Sequence, residues 1–393
     1  MLICEAGPAS VKGSPKRLRP SSDSSLRLAG IDVGQAERHV RSEGLDPGAA
    51  SKAIELVRAR GCASQICVIR HGDVVLKRSF ECDERDLFWI FSASKPYAAV
   101  LILMLADRGL LGLDDPVCAH WPEFAAYGKG AITIRQVLQH RSGLADRDPI
   151  NAVLSFTNWR RSIRRVVRAQ PVLPAGQAPA YLPLTYGFIL GELVQRITQR
   201  PVGEVLATDL LRPLGLRDTY LGLPVSEWER RVPIIGSGFR GRLTSALANR
   251  KFVRRAVIPA AGISTTAADL AQFYLMLMRS GRHGDQQLLS PAILREARKP
   301  SSDGEMDRSA RLPLRWSNGF QLGGPRTGAS SASPFGWLSS PHSFGHNGSN
   351  CCIGWADPDR NLVFAYLTNR LDGRAEGSAH LAAVADAIVT GCR

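Results

Sequence analysis

The chain has 393 residues, 44% of them hydrophobic, enough to fill one large core or two ordinary ones. Gly 37 and Pro 24 suit a loop-rich globular protein and exclude a low-complexity or collagen-like chain, and no apolar run reaches the ~18 residues of a membrane span. The formal net charge of +15 permits attraction to anionic lipid, nucleic acid or acidic polymers without choosing among them.

Residues 1–45 are rich in Ser, Pro, Gly and charge, and are expected to form a basic, disordered lead-in. They hold no apolar core of seven or more residues, so no secretory signal is read there. The eight cysteines (Cys4, Cys62, Cys67, Cys82, Cys118, Cys351, Cys352 and Cys392) form no CxxC pair, which argues against zinc or thioredoxin-like chemistry. Buried thiols fit a reducing compartment, and a cytoplasmic location is the expectation, with membrane association left open.

"GAASKAIELVRARG" has helical spacing and stops at a glycine, and "SQICVIRHGDVVLKRSF" reads as two strands around an "HGD" turn. "KPYAAVLILMLADRG" is apolar on nearly every face, as a central buried helix would be, with Gly109 at its C-terminal end. "ITIRQVLQHRSGL" predicts a short helix capped by Thr133 and ended by Gly143. Further helices are expected at 149–168, 185–198, 203–211 and 266–280. Strands return in "WSNGFQL", "SFGHNG", "CCIGWAD" and "NLVFAYLTN", with a hairpin turn at "DPDRN" and a closing helix over about 376–391. The simplest architecture is one domain over 46–393. Its sheet comes from 46–91 and 255–393, and a helical insertion occupies about 92–254.

Ser92 and Lys95, in "FSASKP", stand three apart where the buried helix begins. Unpaired N–H groups and the positive end of the helix dipole there favour an alkoxide or oxyanion. Burial among Trp89, Phe91 and the apolar helix should lower the Lys95 pKa, so that it can serve as base toward the Ser92 hydroxyl. The competing reading is a serine cap with a lysine reaching to solvent. Pro96 disfavours α geometry at Lys95, so the first turn must be irregular or begin near Lys95.

"FSASKPYAAVLILMLADRGLLGLDDPV" resembles the nucleophile helix of the serine β-lactamase and DD-peptidase-like hydrolases, especially the class C-like branch with the family VIII carboxylesterases. "ITIRQVLQHRSGL", "PAGQAPAYLPLTYGFILGELVQRITQRPVGEVL", "IPAAGISTTAADLAQFYLMLMRSGRHGDQQLLSPAIL" and "SFGHNGSNCCIGWADPDRNLVFAYLTNRL" are similar, in order, to further segments of that branch. The resemblance spans roughly 50–390. It implies an α/β (α+β) fold of the β-lactamase/transpeptidase type: an antiparallel sheet flanked by helices, with a large helical insertion.

It also implies roles. Ser92 is the acylating nucleophile, Lys95 its proton partner, and Tyr181 of "YLP" a proton shuttle that would need a cation such as Lys95 to lower its pKa. The backbone N–H groups of Ser92 and Ser349 form the oxyanion hole, and His346, Asn347 and Gly348 line the substrate site. Two motifs depart from the family. Leu182 and Pro183 follow the tyrosine where Tyr-x-Asn is common, and His346 replaces the lysine of Lys-Thr-Gly. Loss of those amide and ammonium groups favours a neutral or lipophilic ester. The expected activity is a carboxylesterase, lipase-like in reach, working through an acyl-serine on a small-molecule ester without cofactor or metal. The alternatives are a DD-peptidase or β-lactamase, and an inactive member that binds acyl ligands or an anionic membrane.

No G-x-S-x-G occurs, which leaves an α/β-hydrolase nucleophile elbow without a candidate. Structural roles are assigned to His140 and Ser142, and a capping role to Asp114 and Asp115; Tyr186 is the competitor to Tyr181. In "SFTNWRRSIRRVVRAQP", Phe156, Trp159, Ile163 and Val166 recur at helical spacing among five arginines. The helix either packs on the domain with a solvated basic face or forms a basic lip touching anionic lipid. No nucleic-acid motif accompanies the charge.

Overall fold

The computed structural model describes residues 44–146, 155–324 and 333–392. The expected basic tail lies outside these residues except at its end, where Leu45 is buried and bridges to Cys392. The expected helix over 149–168 is described only from residue 155.

Helix α1 (Pro47–Ala59) is capped by the Asp46 side chain. Strands β1 (Ser64–Arg70) and β2 (Asp73–Phe80) form the expected hairpin, turned by His71 and Gly72, both at positive φ. After the short strand β3 (Phe88–Trp89), a 3₁₀ turn over Phe91–Ser94 leads into α2 (Lys95–Asp107). Pro96 therefore occupies the first turn of α2, where its missing N–H costs nothing. Gly109 follows at φ +68, as a C-terminal glycine should.

The next helix, α3 (Ile134–Leu138), carries the full Thr133–Gln136 capping box but ends five residues before Gly143. Gly143 instead adopts φ +73 and lies so close to the Leu173 carbonyl that a Cβ would sit 2.0 Å from it. Helix α4 (Trp159–Arg168) precedes α5 (Thr185–Thr198). The expected helix at 203–211 is a four-residue α turn, Val202–Val205, continued as a π turn over Leu206–Leu211. The insertion also contributes strands: β4 (Tyr220–Leu221), which pairs with β6 (Ile263–Thr265), and β5 (Ile235–Gly236). Between β5 and β6 lie α6 (Gly238–Ala248) and α7 (Lys251–Arg254), and α8 (Ala267–Met278) follows β6.

The C-terminal part supplies β7 (Gln321–Leu322), β8 (Phe344–Gly348), β9 (Cys352–Asp357), β10 (Leu362–Thr368), β11 (Arg370–Leu371) and helix α9 (Arg374–Thr390). The main sheet is antiparallel in the order β2-β1-β10-β9-β8-β7, so the two ends of the chain pair at its centre, Ser64 against Thr368 through Arg70 against Leu362. "WSNGFQL" gives only a two-residue strand. Gly319 turns at φ +106 and Ser317 N–H donates to Phe320 O at 2.9 Å, which breaks the extended run.

Both faces of the sheet are covered at its centre, so β1, β9 and β10 are buried along their whole length. In β10, Leu362, Phe364 and Tyr366 pack with α1 and α9, whereas Val363, Ala365 and Leu367 join the core containing α2 and α8. That second core holds the site. Helix α2 buries every residue from Lys95 to Leu105, and Tyr97 stacks on Phe273 of α8. Among the described residues, no helix is long and apolar enough to cross a membrane.

Candidate active site

Three elements converge at the start of α2. The 3₁₀ turn presents Ser92 at the edge of a cleft of about 370 Å³, Lys95 lies beneath it, and Tyr181 approaches from the connection before α5. The Tyr181 hydroxyl donates to Ser92 Oγ at 2.7 Å. Lys95 Nζ lies 3.2 Å from Ser92 Oγ, 2.8 Å from the Pro183 carbonyl oxygen and 3.3 Å from that of Ala260.

This coordination decides what Lys95 can do. An ammonium would donate to all three oxygens. A neutral amine has two N–H bonds and one lone pair, so two carbonyls take the donors and the lone pair is left for the Ser92 hydroxyl. Lys95 is fully buried, and that desolvation brings its pKa down from 10.5 to about 7, against the opposing pull of the Asp146 charge. Both protonation states are thus populated near neutrality, which suits a group that must accept and return a proton.

Tyr181 behaves differently from the expectation that a nearby cation lowers its pKa. Burial, with the charges of Asp307 and Asp146, raises it above the ordinary tyrosine range, and the Ser92 hydrogen bond opposes this only in part. Lys95 Nζ sits 4.7 Å from the centre of its ring, but the same burial leaves only part of it protonated near neutrality. Tyr181 is therefore held as a phenol, a proton donor toward Ser92 Oγ.

The Tyr181 ring stacks parallel to Trp316, with centroids 5.6 Å apart and planes at 3°, and His140 packs on it at 4.9 Å. His140 Nδ1 accepts from Leu182 N–H at 3.2 Å, which fixes the backbone beside the tyrosine. Burial, with the Lys95 charge, drives the His140 pKa well below its usual value and keeps the ring neutral. Its role is structural, as the sequence suggested, and Ser142 likewise accepts from Leu144 N–H at 3.3 Å. Tyr186 is buried with its hydroxyl unpartnered among the described residues and does not reach Ser92.

The feature missed in the sequence is Asp307. Fully buried, its carboxylate accepts from Tyr181 N–H at 3.0 Å, Trp316 Nε1 at 3.1 Å, Ser309 N–H at 2.9 Å and Ala310 N–H at 2.7 Å. It ties the tyrosine to the tryptophan stacked on it. "GEMDRSARLPLRW" carries no periodicity or spacing that could have marked it.

Opposite Ser92 runs β8. Gly348 is pressed so tightly against the turn before α2 that a Cβ there would lie 1.9 Å from the Ile90 carbonyl oxygen and 3.3 Å from Ala93 N. The next residue, Ser349, turns at φ +48, and Ser92, His346, Asn347 and Ser349 all line the cleft. His346 is buried and neutral, its pKa brought down to about 3 by desolvation and the Lys95 charge. A neutral ring donates from Nδ1 to the Asn347 carbonyl at 2.6 Å, which leaves the buried Nε2 as an acceptor without a partner among the described residues. One wall is apolar, with Ala310, Leu312, Leu314 and Trp316; Gln321, Asn350 and Ser378 add polar groups elsewhere, and Arg374 is the sole cation among the described lining residues.

Helix α4 takes the packed arrangement. Phe156 and Val166 are buried in the core, Trp159 Nε1 donates to Glu192 at 2.9 Å, and Trp159 packs edge-on against Phe188. Arg160, Arg161, Arg164 and Arg168 are exposed, and Arg165 is half-buried. Asp114 pairs with Arg135, and Asp115 accepts from Gly112 N–H at 2.7 Å, so both serve the turn that holds them.

Known proteins share the fold and the family of this chain. The esterase/beta-lactamase LipL of Mycobacterium tuberculosis is 27% identical over 315 residues, 72% of this chain and 69% of LipL. A penicillin-binding protein homologue from Caulobacter crescentus superposes with TM-score 0.73 at 26% identity, covering 88% of this chain and 98% of that one. A family VIII carboxylesterase gives TM-score 0.75 at 23% identity over 88% of this chain and 99% of its own, a likeness of fold. The family model described as Beta-lactamase matches residues 47–388, from α1 nearly to the end of α9, and the chain belongs to that family of serine hydrolase fold.

Proposed function

We propose that the protein is a carboxylesterase working through an acyl-serine intermediate. The observation that carries this reading is the three-way setting of Lys95 Nζ, with two carbonyls taking its donors and Ser92 Oγ facing its lone pair.

In acylation, the Ser92 proton passes to Lys95 as Oγ bonds to the ester carbonyl carbon and the carbonyl π pair moves onto oxygen. The backbone N–H groups of Ser92 and Ser349 stabilise that oxyanion, a contribution of about 3–4 kcal/mol per donor. When the tetrahedral centre collapses, the ester C–O bond breaks, the leaving alkoxide takes a proton from Tyr181, and the Lys95 ammonium returns the proton it holds to the phenolate. Water then attacks the acyl carbonyl, its proton moves to the Tyr181–Lys95 pair, and Ser92 leaves reprotonated.

The preference for an ester over a β-lactam or peptide rests on what lines the cleft. Pro183 offers a main-chain carbonyl where a side-chain amide is common, His346 is neutral where the family often has an ammonium, and Ala310, Leu312, Leu314 and Trp316 form an apolar wall for an acyl chain. LipL, named as an esterase as well as a beta-lactamase, supports ester chemistry here without deciding against a β-lactam. Arg374 favours a second reading, because a cation in the cleft could pair with the carboxylate of a β-lactam or peptide terminus. Turnover of p-nitrophenyl butyrate, p-nitrophenyl palmitate and nitrocefin, with Ser92→Ala as control, separates the two. Butyrate cleavage lost in the variant, with little nitrocefin turnover, is the result expected, and fast nitrocefin hydrolysis would favour the second reading.

A further inference from the structure

Among the described residues twelve large apolar side chains are exposed, and the three most exposed, Phe239 (79%), Leu243 (63%) and Phe252 (60%), fall on α6 and α7. Phe239 and Leu243 are four apart on α6 and share one face. Ile235 and Val257, at either end of the same stretch, are exposed too. Large apolar groups concentrated on a surface in this way mark a contact site.

The charge around them is one-sided. From Arg230 to Ala268 the sequence has no Asp or Glu. Arg242, Arg250, Lys251 and Arg255 are exposed, and the ion pairs among the described residues include none of them. Lys251 rests 5.5 Å from the Trp228 ring centre, a contact that leaves its charge uncompensated.

The segment is firmly held. Ile235 N–H donates to Asn369 O at 2.8 Å and Ser237 N–H to Leu371 O at 3.0 Å, so β5 is laced to β11. The Asn249 carboxamide clamps Ile234 from both sides, at 2.9 Å each. Gly236 and Gly241 touch so closely that a Cβ on Gly236 would overlap the Gly241 carbonyl. The exposed side chains thus stand on a fixed platform. Three residues after β11 ends, Arg374 lines the catalytic cleft.

We propose that α6 and α7 form a docking surface for anionic phospholipid bilayers. Phe239, Leu243 and Phe252 enter the interfacial layer, while Arg242, Arg250, Lys251 and Arg255 meet the lipid phosphates. A second copy of the chain is disfavoured because it would bring the same uncompensated positive charge to the contact. A soluble polyanion would leave the two phenylalanines and the leucine in water. Helix α4, equally basic, has its apolar face turned into the core and offers only charge. This proposal concerns binding and stands apart from the reaction assigned to the cleft.

The test is flotation of the full chain with phosphatidylcholine vesicles, with and without phosphatidylglycerol, at low and high salt. Three multiple variants are compared with wild type: Phe239→Ser/Leu243→Ser/Phe252→Ser, Arg242→Gln/Arg250→Gln/Lys251→Gln/Arg255→Gln, and a control replacing Arg160, Arg161, Arg164, Arg165 and Arg168 by Gln. Wild type should float only with phosphatidylglycerol present and less at high salt. The first two variants should each lose about tenfold or more in binding, and the α4 control should retain it, with Tm and p-nitrophenyl butyrate turnover unchanged in all three. Absence of wild-type flotation, or loss in the α4 control with retention in the other two, would overturn the proposal. So would a concentration-dependent dimer that the serine variant dissolves, which would give this face to a second copy.

Discussion

The carbonyl oxygen of Pro183 accepts a hydrogen bond from Lys95 Nζ at 2.8 Å. The proline occupies the position where the family commonly presents a side-chain amide, and its main chain supplies an acceptor that no residue type announces. With the Ala260 carbonyl it leaves one direction on the amine for Ser92. The proposed chemistry depends on that direction.

The first expectation concerns pH. If Lys95 is the base, kcat/KM for a neutral ester should rise through a transition near pH 7, where Lys95 loses its proton. Lys95→Met should lower kcat by about 10²–10⁴-fold and abolish that transition. Stability should respond as well. The native pKa lies below the unfolded value, so between about 7 and 10.5 the unfolded chain binds a proton that the native chain does not. Wild-type stability therefore gains from this group as pH rises through that window, and below it the folded protein carries the full penalty of a buried ammonium. Denaturant titrations at pH 6 and pH 9 should show Lys95→Met gaining on wild type at the lower pH.

Tyrosine substitutions should separate the two candidates. Tyr181→Phe removes the donor 2.7 Å from Ser92 Oγ and should lower kcat about 10²-fold or more, with KM little changed. Tyr186→Phe removes a buried hydroxyl without a partner among the described residues. Its activity should stay near wild type and its stability should rise by a few tenths to about 1 kcal/mol, because an unsatisfied group is lost. Steady-state kinetics and urea melts of the pair check both statements.

Asp307 acts through Tyr181, not on substrate. Asp307→Ala strands four donors in the interior, among them Tyr181 N–H and Trp316 Nε1, and should cost roughly 3 kcal/mol or more. Asp307→Asn keeps the shape and one acceptor oxygen, and should restore part of that loss. In both variants kcat should fall while KM moves little, since the tyrosine loosens and the acyl wall stays. A merely structural aspartate would lower the yield of folded enzyme and leave the kcat of the folded fraction intact.

Gly348→Ala tests the strand opposite the nucleophile. Its Cβ would meet the Ile90 carbonyl at 1.9 Å, so β8 must retreat from the turn that carries Ser92. Ser349 N–H would retreat with it. A fall of about 10²–10³-fold in kcat is expected, the usual consequence of losing one oxyanion donor.

These sites differ in how plainly the sequence announces them. The β1–β2 hairpin, the buried helix α2 and the C-terminal hairpin follow from local rules: paired apolar runs, turn residues and an unbroken apolar stretch. Ser92 and Lys95 are legible because reactive side chains appear where burial makes them costly, and Tyr181 is legible only through the resemblance of its segment to the family. Asp307 is not, since its partners are backbone N–H groups brought together only by folding. The Pro183 and Ala260 carbonyls are silent for the same reason, because every residue has one. Gly319 halts a strand that alternation alone would extend through Leu322. Phe239 and Leu243 look in sequence like ordinary core residues of a helix, and only the fold reveals that nothing among the described residues covers them.

The central claim, that Ser92 attacks with Lys95 as its base, can be tested by rapid quench of the enzyme with p-nitrophenyl butyrate followed by peptide mass spectrometry. The account predicts one butyryl group on the peptide containing Ser92, formed in a burst with stoichiometric nitrophenol, and absent in both Ser92→Ala and Lys95→Met. A butyryl group on any other residue, or undiminished turnover in Ser92→Ala, would contradict it.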